Sequence, residues 1–89
     1  MVYIVSYHPK LPRKNTALIQ AVCSFEGYAL LSDYSFLVRT KFSASYVRDR
    51  IKPNLRVGDE LFVCKLEKSA AWTGFDAKFS QWVRNAFDE

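Results

Sequence analysis

The chain has 89 residues, a length that suits one domain with a single hydrophobic core. Hydrophobic residues make up 49% of it and aromatic residues 16%, enough apolar surface to offset the entropy of folding, which excludes a disordered chain. No segment approaches the roughly 20 apolar residues of a membrane span and no signal peptide is present, so we expect a cytoplasmic protein with no membrane partner.

The two cysteines, Cys23 and Cys64, do not match a metal-binding or disulfide pattern. They form no CxxC pair, and the single histidine, His8, cannot complete a zinc site with them. Free cysteine is among the most buried residue types, so we predict two buried thiols in a reducing compartment. The sequence predicts no cofactor and no metal.

Positive charge is concentrated in the first part of the chain. Residues 1–56 carry nine Lys and Arg against three acids, whereas residues 57–89 carry four against six. Clustered cations attract phosphates, so the asymmetry favours nucleic acid over a protein partner, with ordinary solubilising side chains as the alternative interpretation. The candidate nucleic-acid-binding residues are Lys10, Arg13, Lys14, Arg39, Lys41 and Arg48.

The first half of the chain predicts a strand, a helix and two further strands. Residues 2–7 are rich in β-branched and aromatic side chains, which is typical of a strand. A helix with apolar residues at i, i+3, i+4 and i+7 begins after Asn15 as N-cap, and Gly27 supplies a left-handed stop. Strands over residues 28–31 and 35–40 follow, joined by a turn.

The second half predicts a helix, a strand and a last helix. Ser43 is the N-cap of the first of these helices, and Pro53 ends it. A turn at Gly58 precedes a strand over residues 60–66. The last helix runs from about residue 74 to 87, with Thr73 and Asp76 at the spacing of a capping box. Its predicted apolar stripe is Phe75, Phe79, Trp82 and Ala86.

The order of elements predicts an α+β fold, namely a ferredoxin-like βαββαβ sandwich with an additional C-terminal helix, as a single domain over residues 1–89. Two helices then cover one face of an antiparallel sheet. Val2, Ile4 and Leu37 make the other face apolar as well, so either the last helix or a second subunit must cover it.

Three segments of the sequence resemble a group of small bacterial and phage proteins: residues 2–7, 34–38 and 70–75. This group is similar to the superfamily of the CRISPR-associated adaptation subunit and virulence-associated protein D. The resemblance implies a ferredoxin-like fold, a symmetric homodimer and work on or near nucleic acid. In the nuclease members, an acidic residue at the end of the first strand holds a divalent metal at the dimer interface.

His8 stands where the resemblance would place that acid, and Asp33 is the only other acid expected nearby. Magnesium prefers carboxylate oxygens to a lone imidazole, so we expect no catalytic residues and no metal-dependent nuclease. His8 is then either a general base, an interface ligand or an exposed loop residue. Trp72 either stacks on a base or anchors the last helix.

We therefore expect a non-catalytic homodimer that binds DNA or RNA. Two alternatives stay open: a metal-dependent ribonuclease or deoxyribonuclease, and a phage or mobile-element module that binds a host protein.

Overall fold

The structure, a computed structural model, describes residues 1–87, so the last two residues of the predicted domain lie outside the described residues. It is a mixed α+β fold with one four-stranded antiparallel sheet and three helices. A 3₁₀ turn, Lys52–Asn54, follows the second helix. The elements in chain order are β1 (Val2–His8), α1 (Thr16–Cys23), β2 (Gly27–Ser32), β3 (Ser35–Arg39), α2 (Ala44–Ile51), β4 (Glu60–Leu66) and α3 (Ala77–Phe87).

The strands lie in the order β2-β3-β1-β4, and every neighbouring pair is antiparallel. The predicted neighbours β1 and β3 are confirmed, with Val2 opposite Arg39 and Ser6 opposite Ser35. On the other side of β1, His8 lies opposite Glu60. The end of β1 and the start of β4 therefore meet at one end of the sheet, and Arg39 lies at the other.

The main core lies between the sheet and the first two helices. Side chains alternate along a strand, so Tyr3, Val5 and Tyr7 of β1 share one face, and all three are buried. They pack in one cluster with buried residues of both helices, which confirms that α1 and α2 cover the same face. The members contributed by α1, by the turn after α1 and by α2 are Leu18, Val22, Phe25, Val47 and Ile51.

Both predicted N-caps are confirmed. The Asn15 side chain accepts a hydrogen bond from the backbone N–H of Leu18, and Ser43 accepts one from Tyr46. These bonds satisfy donors that the first turn of a helix leaves without partners. Pro53 lies in the 3₁₀ turn directly after α2, as expected for a residue that cannot continue an α-helix.

The prediction for Gly27 was wrong. Gly27 is the first residue of β2, and the described glycines with positive φ are Gly58 and Gly74. The Ser24 N–H and hydroxyl both donate to the Ala21 carbonyl oxygen at the end of α1. Gly27 instead allows a close approach, because an added Cβ would lie 2.9 Å from Nε of Arg39.

The last helix begins later than predicted. Gly74 has a φ of +86°, which is not helical, and α3 starts at Ala77. Asp76 is its N-cap, since its carboxylate accepts from the Phe79 N–H at 2.8 Å, so the capping box with Thr73 was wrong. The apolar stripe shifts accordingly. Val83 and Ala86 are its buried members, whereas Phe75 precedes the helix and is 41% exposed.

The second face of the sheet is covered in part by α3. Val2 and Leu37 point to this face and are buried, although they do not belong to the cluster under α1 and α2. α3 does not reach the β4 edge of this face, where Phe62 is 60% exposed.

Cys64 on the same face is exposed and Cys23 is half-buried, so the prediction of two buried thiols was wrong. Within residues 1–87, no helix is long and apolar enough to cross a membrane.

Candidate functional site

Asp59 fastens two loops together at the His8 end of the sheet. The Tyr7 hydroxyl, at the end of β1, donates to Asp59 Oδ2 at 2.6 Å. The backbone N–H of Lys10 donates to Oδ1 at 3.0 Å, and that of Arg56 donates to Oδ2 at 3.0 Å. One carboxylate thus holds the loop after β1 to the turn before β4.

These bonds shift the pKa values of both Asp59 and Tyr7, the two side chains joined by the shortest of them. The hydrogen bond from Tyr7 is the main cause that lowers the pKa of the Asp59 carboxyl, and the backbone donors add to it. Burial and the bond to Asp59 raise the pKa of the Tyr7 hydroxyl. Asp59 is therefore ionised and Tyr7 neutral near pH 7, so the contact persists as a charge-assisted hydrogen bond.

The fastened loops carry four exposed cations, which we call the basic loop pair: Lys10, Arg13, Lys14 and Arg56. Lys10, Arg13 and Arg56 line a surface depression of about 260 Å³ together with Leu11 and Val57. Leu11 is 66% exposed and Val57 96% exposed. Asp59 is the one acid among residues 1–87 that lines the same depression, so the charge that these residues give it is positive.

Sequence reasoning did not include Arg56 among the site residues. Its guanidinium donates to the Lys14 carbonyl oxygen at 3.2 Å, although the two residues are 42 positions apart. The signal that could have found it is topological. An antiparallel β1–β4 pair brings the residues after His8 next to the residues before Glu60.

Arg39 and Lys41 lie at the opposite end of the sheet from the basic loop pair. β1 has seven residues, so its two ends are about 20 Å apart at a rise of about 3.3 Å per residue. Here the Glu26 carboxylate accepts from the Thr40 hydroxyl and from the Lys41 N–H. Desolvation opposes ionisation of Glu26, but these two bonds, a bond from its own backbone N–H and the charge of Lys41 together outweigh it and lower its pKa.

Arg48 lies apart from both groups, on the exposed surface of α2. Its guanidinium donates to the adjacent Asp49 carboxylate at 2.9 Å, and this ion pair lowers the pKa of Asp49. The six predicted residues therefore occupy separate places. Lys10, Arg13 and Lys14 lie together. Arg39 and Lys41 form a second group at the other end of the sheet, and Arg48 lies by itself on α2.

His8 is exposed at the end of β1 and forms a hydrogen-bonded pair with Ser6, 2.7 Å from Nε2 to Oγ. The two residues are two positions apart on one strand, so they share the second face of the sheet. Sequence reasoning weighed His8 alone and did not find this partner. Asp33, the nearby acid of the prediction, is exposed in the β2–β3 turn.

Trp72 is half-buried and is held by the start of α3. Its indole N–H donates to Ser80 Oγ at 2.9 Å, and its ring meets Phe79 edge to face. The Arg84 guanidinium lies 6.0 Å from the ring centroid. These contacts agree with the expectation that Trp72 anchors the last helix.

Among residues 1–87, no three His, Cys, Asp or Glu side chains lie close enough together to hold a metal ion. Comparison of the chain with protein-family models, with curated proteins and with solved structures finds no match.

Proposed function

We propose that this protein binds nucleic acid, without cleaving it, through the basic loop pair. The observation that carries the proposal is the convergence of four exposed cations on two loops that one carboxylate fastens together. Cations clustered on held loops suit a phosphate backbone, because each phosphate contact releases condensed counterions from the nucleic acid. The loops are held in place before binding, so little ordering entropy opposes the contact.

Arg39, Lys41 and Arg48 take a smaller part in this proposal. The charge of Arg48 is compensated by its ion pair with Asp49. The backbone N–H of Lys41 already donates to the Glu26 carboxylate. A ligand that reached both ends of the sheet would have to span about 20 Å, which is about six base-pair steps of duplex DNA at about 3.4 Å each.

The test is a salt titration by fluorescence anisotropy on labelled duplex DNA. With about four phosphate contacts, the logarithm of the association constant should fall against the logarithm of salt concentration with a slope near −3.5. Removing two contacts by Lys10→Ala with Arg13→Ala should bring the slope to about −2 and weaken binding equally on every sequence.

A matched control removes two cations elsewhere. Lys68 and Lys78 are both exposed and lie outside the basic loop pair, so Lys68→Ala with Lys78→Ala changes the net charge equally. The proposal requires this control to keep a slope close to that of the natural protein. Affinity weaker than about 100 μM at physiological salt for duplex DNA, single-stranded DNA and RNA alike would overturn it.

We also propose the finer fold assignment, a ferredoxin-like βαββαβ sandwich with an additional C-terminal helix. The support is the strand order β2-β3-β1-β4 with antiparallel neighbours, which is the order in which two split β-α-β units interleave. The superfamily resemblance stays a prediction.

The protein is further proposed to be a homodimer that pairs through the β4 side of the second face. β4 is an edge strand of the sheet, and α3 leaves Phe62 on it 60% exposed. An exposed edge strand with a large apolar side chain is a surface that proteins ordinarily cover.

A further inference from the structure

A groove of about 430 Å³ opens beside the basic loop pair, on the His8 end of the sheet. Its lining includes Pro9 and Pro12, which directly precede Lys10 and Arg13 in the chain. It is an open surface groove rather than an enclosed cavity, and a volume of this order suits a group of small-molecule size. The groove is therefore large enough for one ligand unit and adjoins the cations proposed to hold phosphates.

Two hydrogen-bonded pairs line this groove. Ser6 Oγ and His8 Nε2 are 2.7 Å apart, and Ser32 Oγ and Ser35 Oγ are also 2.7 Å apart. Ser6 and Ser35 lie directly opposite each other on β1 and β3, so the pairs are neighbours. A serine hydroxyl has one donor and two acceptor sites, which leaves each pair with free capacity towards a ligand.

An aromatic ring completes the groove. Tyr34 is half-buried, and its ring meets that of Tyr7 edge to face with the centroids 6.0 Å apart. Tyr7 is buried and bonded to Asp59, so one residue positions both the ring in the groove and the basic loop pair. A fixed ring next to rigid prolines and hydroxyl groups is suited to an unstacked base and its sugar.

We propose that this groove binds one nucleotide of a single-stranded nucleic acid. The base packs against Tyr34, the hydroxyls of Ser6 and Ser35 with His8 bond sugar or base-edge atoms, and the basic loop pair holds the neighbouring phosphates. A duplex keeps its bases stacked and cannot fill the groove, so the protein prefers single strands. This inference rests on the proposed nucleic-acid binding and names its ligand class.

The experiment compares labelled 12-nucleotide single strands of DNA and of RNA with the matching duplex, by anisotropy at one salt concentration. Tyr34→Leu should weaken single-strand binding about tenfold, the usual loss for one stacked base, and leave duplex binding unchanged. Tyr34→Phe keeps the ring and should retain affinity. Tyr28→Leu is the control, because Tyr28 is 42% exposed on β2 and does not line the groove.

Ser6→Ala and His8→Ala provide a test that does not touch the Tyr7–Tyr34 packing, and each should weaken single-strand binding severalfold. A larger loss on RNA than on DNA would assign these groups to the ribose 2′-hydroxyl, and an equal loss on both would assign them to the base or phosphate. If single strands and duplex bind equally and the groove variants change nothing, while Lys10→Ala with Arg13→Ala still weakens binding, the groove proposal is overturned and the proposed function stands. If no oligonucleotide binds, both fall.

Discussion

Asn15 joins three parts of the fold through one buried side chain. Its Oδ1 caps α1 by accepting from Leu18, and its amide nitrogen donates to the Asn54 carbonyl oxygen at 2.7 Å. The same nitrogen lies 3.4 Å from the Tyr7 hydroxyl. A single short polar residue therefore ties the start of α1 to the 3₁₀ turn after α2 and to the end of β1.

Asn15→Ala should lower the free energy of unfolding by about 2 kcal/mol, since it removes a cap and leaves the Asn54 carbonyl without its donor. Urea denaturation measures this loss. Ser43→Ala is the control, because Ser43 caps α2 from an exposed position and its removal should cost only about 1 kcal/mol. Equal losses for the two variants would show that the Asn54 bond contributes nothing.

At the scale of elements, Asp59 decides how the basic loop pair is arranged. The folded protein lowers the pKa of Asp59 below its ordinary value, chiefly through the Tyr7 hydrogen bond. The stabilisation is therefore fully present above the unfolded pKa, about 3.9, and is lost as pH falls through the lower folded pKa. The loops should separate on acidification, before or together with global unfolding.

Asp59→Asn should make stability less dependent on pH between about pH 5 and pH 2 than in the natural protein, because the variant has no proton to gain there. Urea denaturation at a series of pH values gives the comparison. Glu26→Gln serves as a second probe, since the pKa of Glu26 is also lowered but at the other end of the sheet. If Asp59→Asn has the same pH dependence as the natural protein, Asp59 does not fasten the loops.

The elements themselves could be predicted because their signals are local. Asn15, Ser43 and Pro53 act within one turn of the helices they begin or end. The start of α3 was missed because Thr73 and Asp76 have the spacing of a capping box, which would make Thr73 the N-cap. In the structure Asp76 is itself the N-cap, three residues later. Local spacing does not distinguish the two arrangements.

The site was predictable only in part, because it depends on which strands pair. Lys10, Arg13 and Lys14 are close in sequence and stay together, whereas Arg56 joins them only through the β1–β4 pairing. A charge balance over residues 1–56 counts Arg39 with the loop cations, although the length of β1 separates them. Charge composition alone therefore does not locate the surface at which we propose that a partner binds.

At the scale of the whole molecule, the uncovered β4 side of the second face bears on oligomeric state. A standard interface buries about 1,600 Å² in total, and such a contact should give a dimer mass by light scattering at tens of micromolar. Phe62→Glu should shift the mass to that of the monomer, because it places a charge in the apolar contact. Tyr46→Glu, at a 43% exposed position on α2, should leave the dimer intact. A monomer mass for the natural protein contradicts the proposal.

The central claim is that nucleic acid binds at the basic loop pair, and an amide NMR titration with a short oligonucleotide tests it most directly. We expect the largest saturable shifts in residues 9–14 and 55–59, with smaller ones at His8 and Tyr34. Shifts confined to residues 39–41 and to Arg48, or none at millimolar oligonucleotide, would contradict the account.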